Sequence, residues 1–212
     1  MIAAGNCLSA HALSLARGPR RLFTDLSWKL NSGQALVLRG ANGSGKTSLL
    51  RVLAGLTAAD AGEVRWNDRR WTPLCAGQRA ASIYLGHNNA LKDELTALEN
   101  LDAAIAFDGV DATSSAMCGA LDAAGLAGRH LLLARQLSQG QKRRIGLARL
   151  SLSNKALWLL DEPTNALDAE GVAFFSGILE QHLARGGVAC VATHLLLDIA
   201  ASVQQVTLGG DA

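Results

Sequence analysis

Gly40-Ala41-Asn42-Gly43-Ser44-Gly45-Lys46-Thr47 fits G-x-x-x-x-G-K-[ST], the spacing of a loop that cradles phosphate. Ala35-Leu36-Val37-Leu38 just before it reads as a buried strand, and Thr47 to Ala54 just after it reads as a helix. The glycines let the backbone wrap round an anion with successive N–H groups aimed at its oxygens. The helix start adds partial positive charge and Lys46 adds a full one. Thr47 offers a hydroxyl to Mg²⁺, and Ser48 follows in the same first turn. Gly40 to Ser48 are therefore the expected nucleotide-binding residues. A plain Gly-rich turn with a surface lysine is the alternative, and the strand-loop-helix setting argues against it. The ligand implied is a nucleoside triphosphate.

Composition sets the bounds. With 212 residues, 49% of them hydrophobic, the chain suits one substantial α/β domain carrying an inserted lobe. Apolar runs such as Ala156–Leu160 and Val188–Ala192 fall far short of the about 20 residues that cross a bilayer. Met1-Ile2-Ala3-Ala4-Gly5-Asn6 has neither a basic region nor a long apolar one, so no signal peptide is expected. Net charge is +2 without an arginine-rich arm, which argues against nucleic acid. Lys142-Arg143-Arg144 reads as a solvated helix face. Cys7, Cys75, Cys118 and Cys190 are scattered and suggest isolated thiols in a reducing compartment, with Cys190 in the core. The chain reads as cytosolic, meeting any membrane through a partner.

Three zones follow along the chain. His11 to Ala16, Leu26 to Leu30 and Glu63 to Trp66 look like strands of a small antiparallel sheet, separated by Gly18-Pro19, Asn31-Ser32-Gly33 and Asn67-Asp68 turns. Residues from about Leu91 to Leu150 are helix-rich. There Thr96-Ala97-Leu98-Glu99 and Ser138-Gln139-Gly140-Gln141 are capping boxes. Leu98, Leu101 and Ile105 share one helix face, and Ile145, Ala148 and Leu152 another. The last third alternates Ala156–Leu160, a helix from about Asp168 to Gly186-Gly187, and Val188–Thr193. That is a βαβ pattern, so a mainly parallel sheet with helices on both faces is expected.

Leu157-Trp158-Leu159-Leu160-Asp161-Glu162 runs four apolar residues into two carboxylates at a strand's carboxyl end, which faces the ligand crevice in a doubly wound sheet. Asp161 suits the magnesium that Thr47 touches, and Glu162 is placed to orient and deprotonate a water. A strand-to-turn exit is the bland reading of Asp-Glu-Pro. Upstream, Leu137-Ser138-Gln139-Gly140-Gln141 opens the second capped helix. With these elements in this order the chain resembles the ATP-binding cassette (ABC) family, in which an LSGGQ-like segment precedes the acidic strand; Gln139 departs from that pattern. The resemblance implies a P-loop NTPase core with a mainly parallel sheet, an N-terminal antiparallel β subdomain and a helical subdomain (about 91–150) inserted in one domain spanning 1–212. It implies ATP and Mg²⁺ as cofactors and a head-to-tail homodimer, in which Ser138, Gly140 and Gln141 serve the ATP of the opposite subunit. Ala166-Leu167-Asp168 resembles the loop that couples the two sites; an Asp N-cap is its plain reading. His194, after the strand Val188–Thr193, resembles the family histidine at the γ-phosphate. Glu162, His194 and Lys46 are thus the expected catalytic residues. His11, His130 and His182 have no such support.

Two departures stand out. The family glutamine lies eight residues before a Leu-Thr-x-x-Glu-Asn segment; counting back from Leu95 lands on His87, beside Asn88 and Asn89. His87 is therefore a candidate for reaching magnesium or water. The aromatic that stacks on adenine falls near Ala16 or Arg17, so Arg17 is the candidate base contact, with weak adenine selectivity expected.

Gly62-Glu63-Val64-Arg65-Trp66, Tyr84-Leu85-Gly86-His87 and Glu94 to Leu101 resemble more narrowly the ATP-binding subunits of the bacterial haem exporter of cytochrome c biogenesis; Leu147 to Leu150 through Leu157-Trp158 adds to the likeness. This implies a CcmB-type permease and haem-handling proteins as partners, a place on the cytoplasmic side of the inner membrane, and the helical lobe as the docking face. Another small exporter's ATPase is the alternative. DNA-repair and translation ATPases also use this cassette, but heptad insertions, a second cassette and basic arms are missing here. Intact Lys46, Asp161, Glu162 and His194 argue against a non-catalytic binding module.

Overall fold

The fold is described from a computed structural model, covering residues 5–71, 76–195 and 199–209. Cys75 and the first four residues considered for a leader lie outside the described residues.

Two sheets organise the molecule. The first is antiparallel, order β2-β1-β4-β5, built from β1 (Cys7–Arg17), β2 (Arg20–Asn31), β4 (Ala61–Trp66) and β5 (Arg69–Arg70). The second runs β6-β7-β8-β3-β9, with every pairing parallel. Its strands are β3 (Gln34–Arg39), β6 (Ser82–Leu85), β7 (Leu157–Asp161), β8 (Val188–Ala192) and β9 (Ser202–Thr207).

β7 and β8 are buried along their whole length, so they read as unbroken apolar runs instead of alternating ones. Alternate residues still part to two cores. Leu36, Leu38, Leu157, Leu159 and Cys190 meet α1 (Lys46–Leu53) and the antiparallel sheet, while the short α2 (Ala76–Ala81) leads into β6. Trp158, Leu160, Ala189 and Val191 meet α5 (Gln139–Leu152) and α6 (Ala169–Ala184). Helices thus cover both faces, as expected. A third core joins α3 (Ala97–Phe107) and α4 (Ser114–Ala123) to the opposite flank of α5 through Leu101, Ile105, Leu121, Ile145 and Ala148. Helix α5 therefore belongs to the helical lobe on one flank and to the sheet layer on the other.

The strand ends are what matter for chemistry. β3, β7 and β8 lie side by side, and their carboxyl ends deliver the 40–45 loop, Asp161-Glu162 and Thr193-His194 to one rim. Three strands, β5, β6 and β9, were not anticipated from sequence: the first two are short, and no residue of the third is buried.

The basic triplet is corrected. Arg143 and Arg144 are 3% and 7% exposed, and Lys142 is paired with Asp93 at 2.8 Å, so this is no solvated face. Both guanidinium groups are drawn inside by carbonyl and carboxylate acceptors described below. Cys190 is fully buried, which raises its thiol pKa and keeps it inert. His182 is also core: it stacks on Trp158 at 4.0 Å between ring centroids and lies 3.1 Å from the Val188 carbonyl oxygen. Burial pulls its pKa down to about 4.

Candidate active site

The phosphate loop is shaped by its glycines. Gly40, Gly43 and Gly45 all have positive φ (136°, 77° and 107°). A Cβ at Gly40 would run into the Leu208 carbonyl and Ser44 Oγ, so the tight turn there excludes any side chain. Gly45 is the N-cap of α1 and supplies no side-chain cap, which leaves the first N–H groups of the helix without partners inside it. Lys46 folds back over the loop, donating to the Gly40 and Ala41 carbonyls at 2.7 and 3.2 Å. Ser44 Oγ is buried and has no hydrogen-bond partner among the described residues. A cradle of free donors around a positive charge fits a phosphate group.

Beside it stands the acidic strand end. Thr47 Oγ1 donates to Asp161 Oδ2 at 2.8 Å, and Asp161 is 1% exposed. Glu162 has φ 49°, a left-handed backbone that non-glycine residues seldom adopt. Its N–H donates to the Ala192 carbonyl at 2.8 Å, which ties the end of β7 to β8. Its Oε1 lies 3.4 Å from Nε2 of the exposed His194. Hydroxyl and carboxylate oxygens are the donor types that hold Mg²⁺, an ion that takes one or two carboxylates and completes its shell with water and phosphate. Among the described residues there is no group of three or more His, Cys, Asp or Glu that could hold a metal ion.

A cleft of about 640 Å³ joins the phosphate loop to the two carboxylates; His194, beside Glu162, is not among its walls. Asn42 to Ser48, Asp161, Glu162 and His87 line it together with Arg17, Arg20, Leu22 and Arg51. His87 and Arg17 thus both share the cleft with the carboxylates. Ser138, Gly140, Gln141 and Asp168 are not among its walls. Ser138 Oγ instead accepts from the Gln141 N–H at 3.2 Å, while Gln141 Oε1 accepts from the Ser138 N–H at 2.9 Å. Gly140 lies so close to the Ala166 carbonyl that no Cβ fits between them. Asp168 caps α6 by accepting from the Gly171 N–H at 2.8 Å and pairs with Arg144 at 2.5 Å. The Gly171 bond foremost holds its carboxyl below the usual range.

Sequence reasoning missed Arg20, Leu22 and Arg51. Arg20 was within reach of it, since the Gly18-Pro19 turn pairs Arg17 with Arg20 across the hairpin. Arg51 was too, four residues after Thr47 on one helix face. Buried Arg143 carried no local signal.

With fold and site in view, the comparisons define first a class. Residues 23–165 match the ABC transporter family. Two solved structures of the ATP-binding cassette MJ0796 share the fold. One is a post-hydrolysis dimer bound to ADP and Pi (TM-score 0.77, 23% identity, 89% of this chain and 88% of that one). The other is described as a dimeric bacterial ABC transporter cassette (TM-score 0.80, 22% identity, 94% of each chain). Relatives in sequence narrow the class. The cytochrome c biogenesis ATP-binding export protein CcmA of Dechloromonas aromatica is 47% identical over 203 residues, covering 95% of this chain and 100% of its own. The CcmA of Nitrosomonas europaea is 47% identical over 187 residues, 88% of each. The chain belongs to the ABC transporter family, among its cytochrome c biogenesis ATP-binding export proteins.

Proposed function

We propose that this chain is the ATP-hydrolysing subunit of the haem exporter of cytochrome c biogenesis. One observation carries the hydrolytic reading: Thr47, Asp161, Glu162 and His194 gather at the rim of one parallel sheet, beside a glycine cradle with an uncapped helix start. The CcmA relatives support the transport role.

In this reading residues 1–212 form one nucleotide-binding domain, with the helical lobe of about 91–150 inserted in it. Lys46 leaves the loop carbonyls for the β- and γ-phosphates, and the N–H groups of Gly43 to Ser48 bind the remaining oxygens. Thr47 and Asp161 would hold Mg²⁺, which neutralises charge on the phosphates when bound. Glu162 orients the attacking water and accepts its proton, while His194 contacts the γ-phosphate and steadies that water. His87 takes the place of the family glutamine, facing the metal or water side of the cleft. Arg17 packs its guanidinium plane on the base.

Two copies pair head to tail, so that Ser138, Gly140 and Gln141 of each complete the site of the other, and Asp168 lies in the loop between the sites. That these residues avoid their own chain's cleft is what favours this arrangement. ATP closes the dimer and hydrolysis removes the charge that bridges it. A CcmB-type permease receives the motion and haem-handling proteins receive the haem. The subunit would meet the membrane through this permease, on the cytoplasmic side of the inner membrane; no helix among its described residues is long and apolar enough to cross a membrane. Phe107 and Leu131, both exposed on the helical lobe, support docking there.

The test is Glu162→Gln. It should bind ATP, trap the closed dimer and lose about 100- to 10,000-fold in turnover, the range for removing a general base. Copurification of this variant with a small permease and haem-handling proteins would support the export reading. A different permease would sink the haem assignment and keep the transport ATPase.

A further inference from the structure

We propose that Arg143 is a positioning residue that holds Glu162 in its left-handed turn and ties that turn to the loop carrying His87. All five guanidinium N–H donors are engaged. Nη2 donates to the Asp161 and Glu162 carbonyls at 2.5 and 2.6 Å, and Nε to the Pro163 carbonyl at 3.2 Å. Nη1 donates to the Gly86 carbonyl at 2.7 Å and to Asn89 Oδ1 at 3.2 Å. One planar group thus grips three consecutive carbonyls at the end of β7 and both ends of the stretch containing His87 and Asn88.

The grip coincides with strain. A non-glycine residue in the left-handed region persists only where its surroundings over-determine it. Glu162 is over-determined from two sides: its N–H is fixed to Ala192, and its carbonyl and both neighbouring carbonyls are fixed to Arg143. Arg143 belongs to α5, whose opposite flank packs in the helical lobe. The 87–91 stretch also lines a polar cleft of about 490 Å³ together with Gln139, Lys142 and Asn165. A shift of this stretch, or of α5, therefore bears through one side chain on the backbone that aims the Glu162 carboxylate. Lysine cannot replace it, because a single ammonium has three donors and no plane to span these acceptors.

The proposal rests on Glu162 being the group that acts on water, so three variants are measured together. Arg143→Lys should keep its affinity for a fluorescent ATP analogue within about twofold and lose about 100-fold in kcat with KM little changed, as expected for a catalytic group misplaced by about 1 Å. Its Glu162 amide, now poorly held, should exchange hydrogen faster. Asn89→Ala cuts only the loop side of the grip at a half-buried position. It should lower kcat by about threefold, the low end of what one hydrogen bond is worth, because the other four donors of the charged guanidinium keep their acceptors, with an unchanged melting temperature. A folded Arg143→Lys with wild-type kcat would overturn the proposal, provided Glu162→Gln is inactive. So would an Arg143→Lys that loses ATP affinity and melting temperature in step with kcat while Asn89→Ala is silent, since that is the mark of a purely structural anchor. An active Glu162→Gln would instead remove the reading on which the proposal rests.

Discussion

The starts of α1 and α5 carry the two glycine-bearing motifs of this chain, and they are finished differently. At α1 the cap is Gly45, which has no side chain to spend on the first N–H groups, and Lys46 stands over them. At α5 the cap is Ser138, and the box it forms with Gln141 already satisfies donors at both positions. α3, α4 and α6 follow α5: Thr96, Thr113 and Asp168 each accept an N–H of the first turn. Only α1, among these five, leaves its positive end to a ligand. A helix start whose donors are spent within the chain can serve an anion only after partial release of its own cap, or through the hydroxyl that remains. The first site is therefore ready in the single chain, and the second depends on what approaches it.

The sharpest way to break this contrast is Lys46→Ala. Removing the ammonium that stands over the otherwise open cradle should weaken ATP binding by about 100-fold, the worth of a strong charge-assisted contact. Titration of the isolated subunit reads it directly, and unchanged affinity would mean that phosphate is held elsewhere.

Ser138→Ala probes the other helix start. Its ATP affinity should stay within about twofold, because Ser138 is not a wall of its own chain's cleft. Turnover should nevertheless fall by about 100-fold, the cost of losing one donor to a developing phosphoryl charge. Loss of the cap adds about 1 kcal/mol of destabilisation. If affinity falls as it does for Lys46→Ala, the two starts are not distinct and the head-to-tail pairing fails with them.

A smaller effect is expected at the proposed base contact, since no aromatic ring stands among Arg17, Arg20, Leu22 and Arg51. Guanidinium stacking does not depend on the base edges, so ATP and GTP affinities should agree within about threefold. Arg17→Ala should weaken both by about fivefold, since such a contact is worth about 1 kcal/mol. A strong preference for ATP would show that polar groups read the base after all.

This contrast also marks what a sequence can disclose. The phosphate loop, the acidic strand end and both capping boxes were legible because each is a local backbone event, specified by residues within one turn or one strand. Thr47 and Asp161 were legible as partners because Thr47 opens the helix that follows the phosphate loop and Asp161 ends an apolar strand, and a parallel sheet brings both to its carboxyl rim. Arg143 was not. Its acceptors come from residues 86, 89 and 161–163, and no neighbour in sequence announces them. A basic triplet on a helix ordinarily reads as solvated, and here tertiary hydrogen bonding overrides that. β9 escaped for a similar reason: no residue of Ser202–Thr207 is buried, and pairing with β3 makes it a strand where side-chain burial gives little sign.

The smallest expected effect calibrates the others. Thr113 caps α4 in the same way that Ser138 caps α5, its hydroxyl accepting the Ala116 N–H at 3.2 Å, but it is exposed and is not a wall of the nucleotide cleft. Thr113→Ala should cost about 1 kcal/mol and lower the melting temperature by about 2–4 °C. ATP affinity and kcat should not change. The difference between Ser138→Ala and Thr113→Ala then isolates what Ser138 does beyond capping, because both lose one hydroxyl and one N–H partner at a helix start. A fall in turnover for Thr113→Ala as large as that for Ser138→Ala would mean that loosening the helical lobe alone slows hydrolysis, and the anion role of the α5 start would lose its support.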